Sequence, residues 1–136
     1  MRAYDVKKIL VVDDEQAIVK VVKRRLESSS YEVITASDGA EGLQKALAEK
    51  PDLIISDVTM PNMDGYTFVN TLRGTPEGAN IPVIILTVKE YLQDLFKVHE
   101  IKYCDYLFKP FKAEELLKRV DAYLRPEPGI PPPPVQ

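Results

Sequence analysis

The sequence predicts an α/β protein built as a doubly wound, five-stranded parallel sheet with the strand order 2-1-3-4-5. Five short runs of aliphatic and β-branched residues alternate with segments whose apolar residues recur at helical spacing. Three of these runs are continuously apolar, as is typical of strands that are covered on both faces. Strand–helix alternation of this kind folds with right-handed crossovers, so helices are expected on both faces of the sheet.

The five predicted strands lie at residues 9–12, 32–36, 53–56, 83–86 and 106–108. The first, third and fourth are the continuously apolar ones, whereas the second and fifth are weaker and suit the edges of the sheet. Pro51 and Pro82 stand just before the third and fourth strands. Because proline cannot donate to a sheet ladder, each one indicates the end of a turn.

Five helices are predicted after the strands, each with one apolar stripe. Two of them lie at residues 66–73 and 88–100. The other three are recognised by the residues of their stripes, which are Ile18, Val21, Val22 and Leu26, then Leu43, Ala46 and Leu47, and last Leu116, Leu117, Val120 and Leu124.

The composition limits both the number of domains and the class of function. With 136 residues, 45% of them hydrophobic, the chain is predicted to form one domain over residues 1–125, followed by a proline-rich tail or linker at 126–136. The formal charge of −3 and the scattered basic residues argue against direct nucleic-acid binding. The single Cys104, the lack of a signal peptide and the shortness of the apolar runs predict a cytoplasmic chain without a membrane span.

Polar residues follow the predicted strands at the edge of the sheet where an open parallel sheet holds its functional groups. Asp13 and Asp14 follow the first strand, and Asp57 follows the third. Converging carboxylates repel one another, so a hard divalent cation with oxygen ligands is the expected compensation. We therefore predict a Mg²⁺ site in which Asp14 and Asp57 are direct ligands and Asp13 acts through water.

The same strand ends carry residues suited to phosphoryl transfer. Asp57 can act as a nucleophile, since carboxylates form aspartyl phosphates. Lys109, after the fifth strand, can supply a cation, and the Thr87 hydroxyl, after the fourth, can donate a hydrogen bond to a phosphoryl oxygen. We expect these three residues to carry the chemistry.

Three stretches, at residues 9–15, 57–65 and 106–111, together resemble the signatures of response regulator receiver domains. The resemblance is to the chemotaxis-regulator type, covers roughly residues 7–124, and implies a flavodoxin-like (βα)5 fold. It also implies roles for particular residues: Asp57 as phosphoacceptor, Asp13 and Asp14 as the acidic pair, the Thr59 backbone carbonyl as a metal ligand, Thr87 and Tyr106 as a switch pair, and Lys109 as the phosphoryl-contacting lysine. A cis Lys109–Pro110 bond is implied as well.

The resemblance implies a signalling switch rather than an enzyme, beyond self-catalysed phosphotransfer and autodephosphorylation. A sensor histidine kinase would donate the phosphoryl group to Asp57. The switch would then control an output domain or a target protein through the face formed by the predicted fourth helix, fifth strand and fifth helix.

Several simpler interpretations stay open from the sequence. Asp13 or Asp14 could only cap the first helix, and Thr87, Tyr106 and Lys109 taken singly could be ordinary structural residues. Asp64 and Gly65 are explained by a turn into the third helix, and His99 is interpreted as a helix-face residue.

Other functions are also possible in principle. An aspartyl-phosphate phosphohydrolase of the haloacid dehalogenase type would want an acid where Thr59 stands. A pseudo-receiver would have lost acids or the lysine, and a flavin binder would need a phosphate loop after the first strand. Within the receiver pattern, Val88 replaces a usually small residue beside the site, and residues 102–104 replace a Gly-Ala pair.

Overall fold

The computed structural model describes residues 6–58, 60, 63–88 and 103–126. The strands are β1 (Lys8–Val12), β2 (Glu32–Ala36), β3 (Leu53–Asp57), β4 (Val83–Val88) and β5 (Cys104–Lys109). The helices within the described residues are α1 (Gln16–Ser28), α2 (Gly39–Glu49), α3 (Gly65–Arg73) and α4 (Ala113–Leu124). The helix predicted over 88–100 lies outside the described residues, except that Val88 is the last residue of β4 rather than a helical one.

All five strands form one parallel sheet in the order β2-β1-β3-β4-β5, which confirms the predicted topology. The register aligns the carboxyl ends of the central strands. Val12 of β1 stands opposite Ser56 of β3, and Asp57 of β3 stands opposite Leu86 of β4. The residues that end these strands therefore meet at one edge of the sheet.

The core has two layers, because successive residues of a strand point to opposite faces of the sheet. On one face Leu10 and Ile54 pack with Phe68 of α3. On the other face Ile9 and Leu86 belong to a cluster with the buried residues of α1 and α4. All five of these side chains are fully buried. Burial of each such side chain stabilises the folded state by about 1.5–3 kcal/mol. The sheet therefore holds the residues at its strand ends in fixed positions.

Two predictions about individual residues differ from the structure. Val21 was expected on the apolar stripe of α1, but it is 60% exposed, and Val19 takes its place beside Val22 and Leu26. The fifth strand begins at Cys104, two residues before the predicted start. Asp105 can lie inside this strand because Arg119 and Tyr123 of α4 donate hydrogen bonds to its carboxylate.

Asp105 connects β5 to α4 through one carboxylate oxygen. Its Oδ2 lies 2.8 Å from Nη1 of Arg119 and 2.8 Å from the hydroxyl oxygen of Tyr123, and both groups donate to it. Arg119 also donates to the carbonyl oxygen of Tyr106 at 3.1 Å. The polar residue at the start of β5 is thereby paired, and the helix is fixed against the edge strand.

The turn before β5 is built around Tyr103, which has a left-handed φ of 58°. Its carbonyl oxygen accepts the Val83 backbone N–H at 2.9 Å and a guanidinium N–H of Arg73 at 3.1 Å. Residues other than glycine rarely adopt this left-handed backbone conformation because it costs energy, and the two hydrogen bonds stabilise it here.

The end of α4 is fastened to the turn between α1 and β2. Arg125 donates to the carbonyl oxygens of Ser29 at 2.7 Å and Ser30 at 3.2 Å, and its guanidinium carbon lies 4.0 Å from the centre of the Tyr31 ring. The Tyr31 hydroxyl donates in turn to Asp121 at 2.5 Å. This contact lies at the amino end of β2, away from the edge that carries the polar strand ends.

Within the described part of the chain, no helix combines the length and apolar character that a bilayer crossing requires.

Candidate functional site

The carboxyl edge of the sheet brings the predicted acidic residues together. Asp13 follows β1 and is fully buried, Asp57 ends β3 and is 6% exposed, and Asp14 lies at the surface. One carboxylate oxygen of each lies within 4.8 Å of the others. The three acids predicted to hold a metal are therefore close enough to share one cation.

Lys109 at the end of β5 projects into this group. Its Nζ lies 3.2 Å from Oδ1 of Asp57, 3.6 Å from Oδ2 of Asp13 and 3.6 Å from Oε1 of Glu15. Only the first distance is that of a hydrogen bond. The Lys109–Pro110 peptide bond is cis, as the resemblance implied.

Burial and mutual repulsion control the protonation of the acids. Burial, together with the charge of Asp57, raises the pKa of Asp13 to about 6, against the opposing effects of the Glu15 backbone N–H and Lys109. Burial also raises the pKa of Asp57, against the opposing charge of Lys109. For Lys109, burial lowers the pKa, but the attraction of Asp57 and Asp13 outweighs it and leaves the pKa raised. The lysine is therefore a permanent cation at neutral pH.

Asp13 also takes part in the turn into α1. Its Oδ1 accepts the Glu15 backbone N–H at 2.9 Å, whereas the N-cap of α1 is Glu15 itself, without a side-chain cap. The interpretation of Asp13 or Asp14 as the cap of this helix is wrong. Oδ2 of Asp13 is buried and has no hydrogen-bond partner among the described residues. A buried carboxylate oxygen in this condition is costly unless a cation compensates it.

The loop from β3 to α3 holds the Asp57 carboxylate in place. The Val58 backbone N–H donates to Oδ1 of Asp57 at 2.9 Å, and the Gly65 N–H donates to the carbonyl oxygen of Val58 at 2.8 Å. A Cβ at Gly65 would collide with the carbonyl oxygen of Asp57. Asp64 caps α3 by accepting the Thr67 N–H, so the interpretation of these residues as a turn into the helix is confirmed.

Thr87 and the predicted switch partner Tyr106 lie on one face of the sheet. Thr87 is 2% exposed and stands opposite Phe108, and Tyr106 stands opposite Ile85, two residues from Thr87. The rings of Tyr106 and Phe108 form an edge contact with their centres 5.3 Å apart. Thr87 and Tyr106 are thus diagonal neighbours, near enough for one to respond to the other.

A cleft of about 300 Å³ lies above the strand ends, and its lining includes Asp14, Glu15, Asp57, Thr87, Val88 and Lys109. The site is therefore open to a small ligand, and the Asp57 carboxylate and the Lys109 ammonium both line it.

A family model described as the response regulator receiver domain matches residues 9–121. The chain belongs to the response regulator receiver family. This is a family of signalling switches, so the match favours that interpretation over a dedicated phosphohydrolase.

Known members of the receiver family are similar in both sequence and structure. The alkaline phosphatase synthesis transcriptional regulatory protein PhoP of Bacillus subtilis is 47% identical over 119 residues, which are 88% of this chain and 49% of PhoP. The chain spans about half the length of the curated relatives that it matches.

Two solved receiver structures share the fold. The chemotaxis response regulator CheY4 of Vibrio cholerae has a TM-score of 0.80 and 37% identity, covering 85% of this chain and 97% of that one. The receiver domain of the sensor histidine kinase PA1611 from Pseudomonas aeruginosa has a TM-score of 0.79 and 29% identity, covering 88% and 98%. Its structure is described as having a magnesium ion coordinated in the active site cleft.

Two elements of the predicted receiver site lie outside the described residues. They are Thr59, whose backbone carbonyl was expected to bind the metal, and the predicted fourth helix with His99. Conversely, Glu15 contacts Lys109 and lines the cleft, although no role was predicted for it from the sequence. A glutamate that directly follows two aspartates was the available signal.

Proposed function

We propose that this receiver domain accepts a phosphoryl group on Asp57 and changes conformation in response. One observation carries the proposal: the Asp57 carboxylate ends the central strand at an open cleft and has the Lys109 ammonium 3.2 Å away. A nucleophilic carboxylate beside a fixed cation is the arrangement that phosphoryl transfer requires.

The transfer step balances when the leaving group takes up one proton from solvent. A carboxylate oxygen of Asp57 attacks phosphorus, an O–P bond forms, and the bond from phosphorus to the donor breaks. With phosphohistidine of a sensor kinase as donor, the electron pair of the P–N bond goes to the imidazole nitrogen, which takes up a proton. Lys109 offsets the charge on the phosphoryl oxygens, and the buried Thr87 hydroxyl is close enough to the cleft to donate to one of them.

The acidic residues fit a Mg²⁺ ion. Carboxylate oxygens are the ligands that this cation prefers, and the buried Oδ2 of Asp13 accepts no hydrogen bond among the described residues and has only the Lys109 ammonium, at 3.6 Å, to offset its charge. We propose Asp14 and Asp57 as direct ligands, Asp13 as a ligand through water, and the Thr59 carbonyl as a further ligand. Magnesium in the cleft of the PA1611 receiver domain supports this proposal. Bound there, the ion would neutralise charge on the phosphoryl oxygens.

The proposed response is a movement of Thr87 toward the phosphoryl group, which leaves space for Tyr106 to turn inward. Both side chains lie on the same face of the sheet, opposite the face on which α4 packs. We propose that an output domain or a target protein then binds the face formed by β5, by α4, which is the fifth helix predicted from the sequence, and by the fourth helix predicted over residues 88–100. PhoP, about twice as long, is described as a transcriptional regulatory protein, which favours an output of that kind.

Small-molecule phosphorylation tests the proposal. Incubation with acetyl phosphate and Mg²⁺ should add one phosphoryl group by intact mass, and Asp57→Asn should abolish the addition. Asp52→Asn is the matched control, because Asp52 is an exposed aspartate whose carboxylate accepts the Lys8 backbone N–H, as an asparagine oxygen also can. Equal phosphorylation of Asp57→Asn and wild type would contradict the assignment.

The metal is tested separately by thermal unfolding of the unphosphorylated protein. Mg²⁺ should raise the melting temperature of wild type and have a much smaller effect on Asp14→Ala. Equal shifts in the two proteins would contradict the proposed ligands.

A further inference from the structure

Glu15 is a third carboxylate partner of Lys109. Its Oε1 lies 3.6 Å from Nζ, the same distance as Oδ2 of Asp13. Unlike the buried aspartates, the Glu15 side chain is 59% exposed, whereas that of Lys109 is 15% exposed. The proposed phosphoacceptor function uses Asp13 and Lys109 but gives no part to Glu15.

The orientation of Glu15 is not explained by the helix that it begins. Glu15 is the N-cap of α1, yet its side chain makes no capping hydrogen bond. Its backbone N–H donates to Asp13, which fixes the residue at the start of the helix while the carboxylate is directed to Lys109. The side chain therefore interacts with the site rather than with the helix terminus.

Glu15 also lies at the boundary between two cavities. It lines the cleft of about 300 Å³ that contains Asp57, and a mainly apolar cavity of about 610 Å³ on the side of α1 and Phe111. Since the side chain is largely exposed and lines the cleft, its charge faces solvent where a small phosphodonor would enter.

We propose that Glu15 is a specificity-determining residue that disfavours small phosphodonors of high negative charge. The inference rests on the proposed phosphorylation of Asp57. The carboxylate acts in two ways that add: it repels an approaching anion, and it competes with the phosphoryl oxygens for Lys109.

The two effects depend on the charge of the donor. Near neutral pH acetyl phosphate is doubly negative, whereas phosphoramidate is singly negative. Coulomb energy is proportional to the product of the charges, so neutralising Glu15 should favour acetyl phosphate more. For a solvent-exposed charge several ångströms from the donor, we expect the ratio of the two rate constants to rise about threefold.

The test compares phosphorylation rates of Asp57 with both donors at saturating Mg²⁺ in wild type, Glu15→Gln and Glu15→Asp. Glu27→Gln is the matched control, because Glu27 is an exposed glutamate of the same helix about 18 Å from Glu15 along its axis. We expect a higher ratio of the acetyl phosphate rate to the phosphoramidate rate only in Glu15→Gln, with the difference shrinking at high salt. Glu15→Asp, which keeps the charge, should retain a ratio close to that of wild type.

A second measurement, on metal-free protein, does not depend on phosphorylation. Glu15→Gln should lower the denaturant midpoint in wild type, where Glu15 pairs with Lys109. In a Lys109→Met background it should raise the midpoint, because Glu15 is then only a third negative charge beside Asp13 and Asp57.

The outcomes separate this inference from the proposed function. An unchanged donor ratio in Glu15→Gln, or equal midpoint shifts in the two backgrounds, would overturn the inference alone. Failure of wild type to accept a phosphoryl group on Asp57 from either donor would overturn the proposed function and the inference with it.

Discussion

Nζ of Lys109 lies 3.2 Å from Oδ1 of Asp57, although the two residues are 52 positions apart in the chain. The contact joins the end of the central strand to the end of an edge strand, across β4. It pairs the proposed nucleophile with a cation and leaves the cleft open above them.

Lys109→Met should destabilise the metal-free protein, because the buried acids lose the cation that they share. Breaking a fully buried ion pair costs about 3–5 kcal/mol, and we expect roughly half of that here because Lys109 is partly exposed. Urea unfolding with a chelator present measures the change, with the exposed Lys112→Met as control. Adding Asp57→Asn should restore part of the stability, and no recovery would contradict this account.

Asp13→Asn should stabilise the metal-free protein at neutral pH. Burial raises the pKa of Asp13 to about 6, so between about pH 4 and pH 6 the folded state holds a proton that the unfolded state has released. Stability from this group is therefore present below about pH 4 and is lost as pH rises to 6. The unfolding free energy of the variant minus that of wild type should increase by about 3 kcal/mol over that range and then stay level. If the difference in unfolding free energy between the variant and wild type did not vary with pH, the raised pKa of Asp13 would be contradicted.

Gly65→Ala should destabilise the protein and slow phosphorylation. The added methyl group would collide with the Asp57 carbonyl oxygen, and relief requires a shift of the loop that holds the carboxylate. Overpacking of this kind costs about 1–3 kcal/mol. Gly74→Ala is the control, since its Cβ would lie 3.4 Å from the nearest atom outside the adjoining residues. Equal phosphorylation rates in the two variants would show that the close contact between Gly65 and the Asp57 carbonyl oxygen does not affect phosphorylation.

Thr87→Ala should uncouple the phosphoryl site from Tyr106. A hydrogen bond to a charged acceptor contributes roughly 1.5–3 kcal/mol, enough to shift a two-state population by about one to two orders of magnitude. NMR spectra with and without beryllofluoride, a mimic of the phosphoryl group, should show large shifts around Tyr106 in wild type and small ones in Thr87→Ala. Identical responses would exclude Thr87 as the coupling residue.

Val88→Ala should shorten the lifetime of phosphorylated Asp57. Val88 lines the cleft beside Thr87, so its branched side chain reduces the access of water to the acyl phosphate. The loss of phosphate after removal of the donor measures the effect. Faster loss in wild type than in the variant would overturn the shielding role.

The sequence was sufficient to predict the order of the strands and the meeting of Asp13, Asp57, Thr87 and Lys109. Apolar runs specify buried strands, and parallel strands align their carboxyl ends. Positions that depend on side-chain partners could not be predicted in this way. Asp105 lies in β5 with its carboxylate satisfied by Arg119 and Tyr123, and a charged residue alone does not indicate a strand.

The exposure of Val21 and the contact of Glu15 have a similar origin. Helical periodicity indicates a broad apolar stripe, but the packing of α1 on the sheet and α4 decides which residues at its margin are covered. The partner of Glu15, Lys109, lies at the end of β5 and 94 residues away, and the residues around Glu15 in the sequence do not indicate that the two side chains meet.

The attachment of Arg125 to the Ser29–Ser30 turn has a consequence for signal output. The proposed phosphorylation site lies at the carboxyl ends of the strands, whereas Arg125 lies at their amino ends. The two are separated by at least the length of a strand, about 17 Å for five residues. A phosphoryl group is too small to bridge that span. Under the proposed function, a unit that followed Arg125 would therefore respond to the phosphoryl group only through a change in the conformation of the domain between the two sites.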